Sequence, residues 1–202
     1  MHERRGYRQG LRAEQTEATR QRILDSGYEL LKALPYDDVT LEMIAARAEV
    51  TVPTVLRHVG SKEGLVAEGL ERWGQAEDDR REVEPGDIAK IAHVLAERYE
   101  DLGAATKRHV ALGERLPIAA IAIENARQGH HDWLARMFRQ WLPERQPAER
   151  KRRLAQLFAA TEIYSWHTWR TSFGLTRAQA EAALREMLET LTSAWASDTQ
   201  GA

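Results

Sequence analysis

The chain has no cysteine, which excludes a disulfide framework and any thiolate metal site and fits a reducing compartment. Its longest uninterrupted apolar run is Ile118 to Ile123, far short of the roughly 20 residues that a membrane-spanning helix needs. The start, Met-His-Glu-Arg-Arg-Gly-Tyr-Arg, is charged and has no apolar segment of the kind a secretory signal carries. A soluble, cytoplasmic protein without a membrane partner is therefore expected. Positive charge is not in excess either: 29 Lys and Arg stand against 31 Asp and Glu, which speaks against indiscriminate coating of nucleic acid. There is no glycine-rich phosphate loop, no locally supported Ser/His/Asp arrangement and no pair of carboxylates in apolar surroundings, so neither an enzyme nor a cofactor is expected. His130-His131-Asp132 has no spacing that would fix a tetrahedral metal, since neighbours on a helix point about 100° apart.

What the chain does have is helical period throughout, and 202 residues are enough to bury a core. Ile23, Gly27, Leu30, Leu31 and Leu34 mark a first helix from about Thr16 to Leu34, stopped by Pro35. Leu41, Ile44, Ala45 and Ala48 form the stripe of a short second helix capped by Thr40. The turn Ala48-Glu49-Val50 leads to Thr51, a natural N-cap, with Pro53 in the first turn of the next helix. In that helix Val55 and Val59 point inward, leaving Thr54, Arg57 and His58 to face out. Two short helices joined so tightly, the second with a polar outer face, make a helix-turn-helix, which lays its second helix in the DNA major groove. Ser61 then caps a fourth helix that begins with Lys62.

Residues 1–72 carry eleven basic against twelve acidic residues, so affinity for phosphate must come from local clusters. One is the arm Arg4, Arg5, Arg8 and Arg12; the other runs from Arg47 to Lys62. Beyond a charged stretch closed by Pro85-Gly86, the best boundary in the sequence, every segment again keeps a helical period. One helix opens with Ile88, Ile91, Ala92 and Leu95 and reaches Gly103; a short one spans about Thr106 to Arg115; Pro117 opens another. A long helix carries Leu154 to Phe173 and stops at Gly174, and the last begins with the capping box Thr176 and Gln179. No segment reads as a strand. The expected fold is all-α, with a flexible basic arm at 1–15, a three-helix helix-turn-helix domain at 16–61, a linking helix at 62–84 and a C-terminal helical domain at 85–202.

Over residues 16–70 the sequence resembles the TetR family of transcriptional regulators. The resemblance is carried by Thr19-Arg20-Gln21-Arg22-Ile23-Leu24, by Thr40, by Ile44-Ala45, and by the phrase Arg57-His58-Val59-Gly60-Ser61-Lys62-Glu63-Gly64-Leu65. A weaker likeness runs through Trp166, Trp169-Arg170 and Phe173-Gly174-Leu175-Thr176. It implies a homodimeric repressor that binds a palindromic double-stranded operator and is released by a small-molecule effector held in the C-terminal domain. A helical ligand-binding or scaffold protein that has lost operator binding is the competing reading. Two departures motivate it: Glu49 stands where the family usually has glycine, and Leu56 where it usually has a tyrosine whose hydroxyl reaches a backbone phosphate. Val59 replaces the usual phenylalanine.

Carried over position by position, the resemblance implies that Thr40, Thr51, Val52, Thr54, Arg57, His58 and Lys62 touch DNA. Thr40 and Thr51 lie at helix N-termini, which favour phosphate. Val52 and Thr54 offer methyl groups for thymine, and Thr54 can also bond a base edge. Arg57 suits either phosphate or guanine, and His58 either phosphate or a structural place. The stripe Leu184, Leu188, Leu191 and Trp195 on the last helix is the expected dimer interface, against the alternative that a monomer buries it in its own core. Trp73, Tyr99, His109, Trp133, Trp166 and Trp169 are the candidate lining of an effector site, against the commoner role of such aromatics as core.

Overall fold

The computed structural model of the chain describes residues 3–69 and 81–200, with side chains described from residue 13 onward apart from those of 102, 104–107, 109, 110 and 198–200. It is all-α, with no strand among the described residues. They fall into two units that are not successive along the chain. The first holds the residues up to 69 together with Lys107–Glu124, and the second holds those from 81 to Thr106 and from Asn125 onward.

In the first unit α1 runs over Glu3–Ala33, a 3-10 turn over Tyr36–Asp38, α2 over Leu41–Arg47 and α3 over Val52–Val59. A fourth helix, α4, occupies 62–69; the rest of the linking helix expected at 62–84 lies outside the described residues as far as residue 80. The segment expected as a flexible arm is helical from Glu3, continuous with α1. Four Arg with two Gln and two Glu, which lose little on entering a helix, outweigh Gly6 and Gly10 there. Ile23, Leu24, Leu31, Val39, Ile44, Ala45, Val55, Leu65 and Val66 are buried in one core, joined by Leu112 and Ala119 from the returning stretch. A β-carbon on Gly27 would lie 2.5 Å from Leu65 Cδ2, so a larger residue there would force the buried Leu65 side chain to shift. A bidentate pair of Arg20 with Glu68 ties the same two helices, one of its contacts being 2.6 Å long.

The remaining helices are α5, Ile88–Gly113, interrupted at Gly103 (φ 30°, ψ −115°), and α6, Pro117–Met137. The break expected at Gly103 is thus present as a kink. They are followed by α7, Pro147–Thr161, and the short α8, Ile163–His167, which ends in a π-helical turn at Thr168–Ser172; α9 is Arg177–Gln200. The single long helix expected up to Phe173 is broken at Glu162, whose backbone is extended (φ −75°, ψ 144°). Hydroxyls flank the break: Thr161 donates to the Leu157 carbonyl at 2.8 Å, and Ser165 to that of Ala159 at 2.7 Å. Such back-bonding competes with the helical ladder. The capping box of α9 forms as expected, with Thr176 N–H donating to Gln179 Oε1 at 2.8 Å and Gln179 N–H to Thr176 Oγ1 at 3.3 Å.

Candidate nucleic-acid interface

Helix α2 begins where Thr40 turns extended and its Oγ1 accepts the Met43 N–H at 3.2 Å. It ends in a Schellman turn. Val50 N–H donates to the Ala45 carbonyl at 2.9 Å and Glu49 N–H to that of Ala46 at 3.3 Å, with Glu49 in the left-handed region at φ 55°. Glu49 is the one non-glycine residue with positive φ among those described. The turn expected at Ala48-Glu49-Val50 therefore keeps the geometry that glycine usually serves, at the cost of a strained backbone. Helix α3 starts at Thr51, and Pro53 in its first turn breaks no bond of the helix. The Thr51 hydroxyl makes no capping bond; it lies 3.0 Å from Thr54 Oγ1.

Burial identifies the outward face of α3. Val55 is fully buried and Val52 and Val59 pack against the core. The exposed positions are Pro53, Leu56, Arg57 and Gly60, spaced i, i+3, i+4, i+7. Thr54 and His58, expected to face out with Arg57, are half-buried at the flanks, while Thr40 and Thr51 are exposed. Pro53 and Leu56 join Arg57 on this face beside the positions expected there; extending the inward pair Val55 and Val59 to Val52 turns both outward.

The C-terminal end of α3 turns on Gly60 (φ 73°), and Ser61 caps α4 by accepting the Gly64 N–H at 3.1 Å. A β-carbon on Gly64 would lie 2.4 Å from the Val59 carbonyl oxygen, so this tight phrase needs glycine there. Lys62, expected as a phosphate ligand, reaches across to the loop after α1. Its ammonium donates to the Tyr36 carbonyl and sits 3.9 Å from the centre of the Tyr36 ring. Partial burial lowers the Lys62 pKa, against the opposing pull of Asp37, Glu63 and Asp38. The Tyr36 hydroxyl donates to Glu63 at 3.0 Å, and burial with that carboxylate raises the phenol to about 12. Asp37 next to it accepts from Arg115 at 2.8 Å on the returning stretch of the same unit, which holds its carboxyl below the usual range.

The second unit has a different polar interior. His130 is flanked by Arg81 Nη1 at 3.1 Å from Nδ1 and by Thr161 Oγ1 at 3.0 Å from Nε2. Its ring stacks on Trp133 with centroids 5.9 Å apart, and Trp133 Nε1 donates to the Arg81 carbonyl at 3.2 Å. Burial, with Arg81 and Arg98 nearby, pushes the imidazole down to about 3, so it is neutral and both nitrogens serve the network. Of the residues expected to line an effector site, Tyr99, Trp133 and Trp166 are buried members of this core, and Trp169 packs half-buried against it. Tyr99 donates to the Thr161 carbonyl and Trp166 to Glu100 at 3.1 Å. Trp73 and the side chain of His109 lie outside the described residues. The stripe expected as a dimer interface turns inward: Leu184, Leu188 and Trp195 are buried in the unit's own core and Leu191 is half-buried on it. An amphipathic helix at a chain end satisfies its apolar face with the nearest apolar surface, here its own α7, where Leu154 and Leu157 share that core.

Residues 23–68 match the family model for bacterial regulatory proteins of the tetR family. No curated protein matches the chain. Among solved structures it is similar to a tetR-family transcriptional regulator from Streptomyces coelicolor, with a TM-score of 0.72 at 18% identity over 90% of this chain and 83% of that one. A transcriptional regulator from Rhodococcus sp. Rha1 gives 0.69 at 16% identity over 87% and 96%. The multidrug binding protein EbrR, solved in complex with proflavin, gives 0.62 at 16% identity over 86% and 99%. At these identities the likeness is one of fold, and it extends through the helices beyond the segment that the family model covers.

Proposed function

We propose that the chain, whose residues 23–68 match the tetR family of bacterial regulatory proteins, is a homodimeric repressor of a palindromic operator, released by a small-molecule effector. The observation that carries the reading is the built helix-turn-helix. The Schellman turn after α2, Pro53 at the start of α3, and the buried Ile44 and Val55 hold α3 with one exposed face. One such helix reads only a few base pairs, and a second copy one helical turn along the DNA supplies the rest.

The dimer surface is proposed on the flank of α9 beside the core stripe, where half-buried Ala183 and exposed Met187, Thr190 and Ala194 follow a helical spacing, with Met187 43% exposed. Exposed Tyr164 and Phe173 on the preceding segment offer further apolar surface. The effector is proposed to be a small molecule bound by the second unit, whose interior is rich in aromatic side chains, Tyr99, Trp133, Trp166 and Trp169 among them. The structurally similar multidrug binding protein EbrR is solved in complex with proflavin. Lys62, as it stands on Tyr36, is proposed to reach a phosphate by releasing that carbonyl; Thr40 and Thr51, both exposed, are proposed as further phosphate contacts.

The test is selection from random double-stranded oligonucleotides, followed by an electrophoretic shift with DNA from the protein's own promoter region. The expected result is an inverted repeat with half-sites about one DNA turn apart. Failure to enrich any sequence would favour a scaffold protein. A thermal-shift screen of small aromatic compounds then identifies the effector class, since a ligand of the folded state raises apparent stability.

A further inference from the structure

The reading face of α3 is short of hydrogen-bond donors. Of its exposed positions Pro53, Leu56, Arg57 and Gly60, only Arg57 carries a polar side chain. At the flanks the Thr51 and Thr54 hydroxyls lie 3.0 Å apart and bond each other. Val52 turns to the core. Leu56 is 39% exposed at the centre of this face, one helical turn from Pro53. A single exposed leucine ordinarily means nothing. This one lies on the surface that enters the groove, where docking strips its water and requires an apolar partner. The apolar group that the major groove presents is the C5-methyl of thymine.

We propose that Leu56, backed by Pro53, is a specificity-determining residue that reads a thymine methyl in each half-site. The position then selects a base where a tyrosine hydroxyl would grip phosphate. The inference rests on the operator-binding reading above, and it gives that operator a chemical signature: at one position per half-site thymine is required for its methyl alone.

The test is a scan of the selected operator in which each thymine is replaced in turn by deoxyuridine, which removes only the methyl. Affinities are measured by fluorescence anisotropy for the full-length protein and for Leu56→Ala. One position per half-site should weaken binding about fourfold, the value of one buried methyl, and Leu56→Ala should bind the thymine and uracil operators equally. The exposed site leaves the thermal midpoint of the variant unchanged, which circular dichroism checks. An operator on which deoxyuridine is harmless everywhere, or a penalty that persists in Leu56→Ala, overturns the assignment and leaves operator binding standing. Failure to select any operator overturns the premise and the assignment together.

Discussion

Replacing Glu49 by glycine should stabilise the protein, and the reason can be separated from charge. Glu49 occupies the left-handed position of the Schellman turn at φ 55°, with its N–H and that of Val50 bonded back to α2. A β-carbon there costs about 1–2 kcal/mol. Glycine removes that cost and gives back about 0.4–1 kcal/mol through its freer unfolded chain. The difference of the two ranges is about 0–1.6 kcal/mol, and its middle, about 0.8 kcal/mol, corresponds to a rise of about 2–3 °C in the midpoint of a chain this long. Glu49→Ala is the control, because it deletes the carboxylate and keeps the β-carbon. Glu49→Asn, a residue more at ease in this conformation, should fall between the two. The assay is thermal and urea unfolding of all three variants beside the parent. If alanine stabilises as much as glycine, the gain comes from charge and the backbone argument is refuted. Affinity for DNA should divide the variants differently: on the proposed operator-binding reading all three lose a negative charge in the turn before α3 and should bind more tightly by a similar factor.

Arg57→Ala tests which partner the one polar side chain of the reading face takes. A guanine contact predicts relaxed preference at one base pair, worth about 1–3 kcal/mol, whereas a phosphate contact predicts uniform weakening and a shallower salt dependence. On the proposed dimer, Met187→Glu should give a monomer in sedimentation velocity at micromolar concentration where the parent is dimeric, with the same thermal stability; a dimer in both would place the interface elsewhere, and a monomer in both would refute the proposed dimer. His130 gives a pH signature. Its folded pKa of about 3 lies below the unfolded value of about 6.5, so the unfolded chain binds more protons between the two. Stability is retained above pH 6.5 and lost as pH falls through that window, at up to about 1.4 kcal/mol per pH unit. Urea titrations from pH 7.5 to 4.5 should show a shallower slope for His130→Asn than for the parent.

The helix-turn-helix was legible because its determinants are local. The cap at Thr40, the stripe Leu41, Ile44, Ala45 and Ala48, and the glycine and serine after Val59 each act within one or two turns of chain. The same locality fixed the capping box at Thr176. What could not be read depends on partners far along the sequence. Leu184, Leu188 and Trp195 look the same whether they face a second copy or Leu157, and the amphipathic pattern says only that they are covered. Tyr99 and Trp166 are a pocket or a core according to what stands behind them. Lys62 shows the same limit on a smaller scale. Its place at the start of α4 was expected, but its direction is set by Tyr36 across the loop. The break at Glu162 was missed because Thr161 and Ser165 are acceptable in a helix until their hydroxyls turn back on the carbonyls.

The first unit is discontinuous, and that bears on how it can be made or transplanted. Leu65 and Val66 share a core with Leu112 and Ala119, which lie on the far side of the stretch that belongs to the second unit. On the ribosome the reading head emerges well before the residues that complete its floor, so its apolar underside waits, uncovered, for about forty more residues of synthesis. A fragment cut after α4 would keep every residue of the reading face and lose that floor. A chimaera meant to exchange operator preference between relatives should therefore move residues 107–124 along with the first seventy, or exchange only the exposed positions of α3.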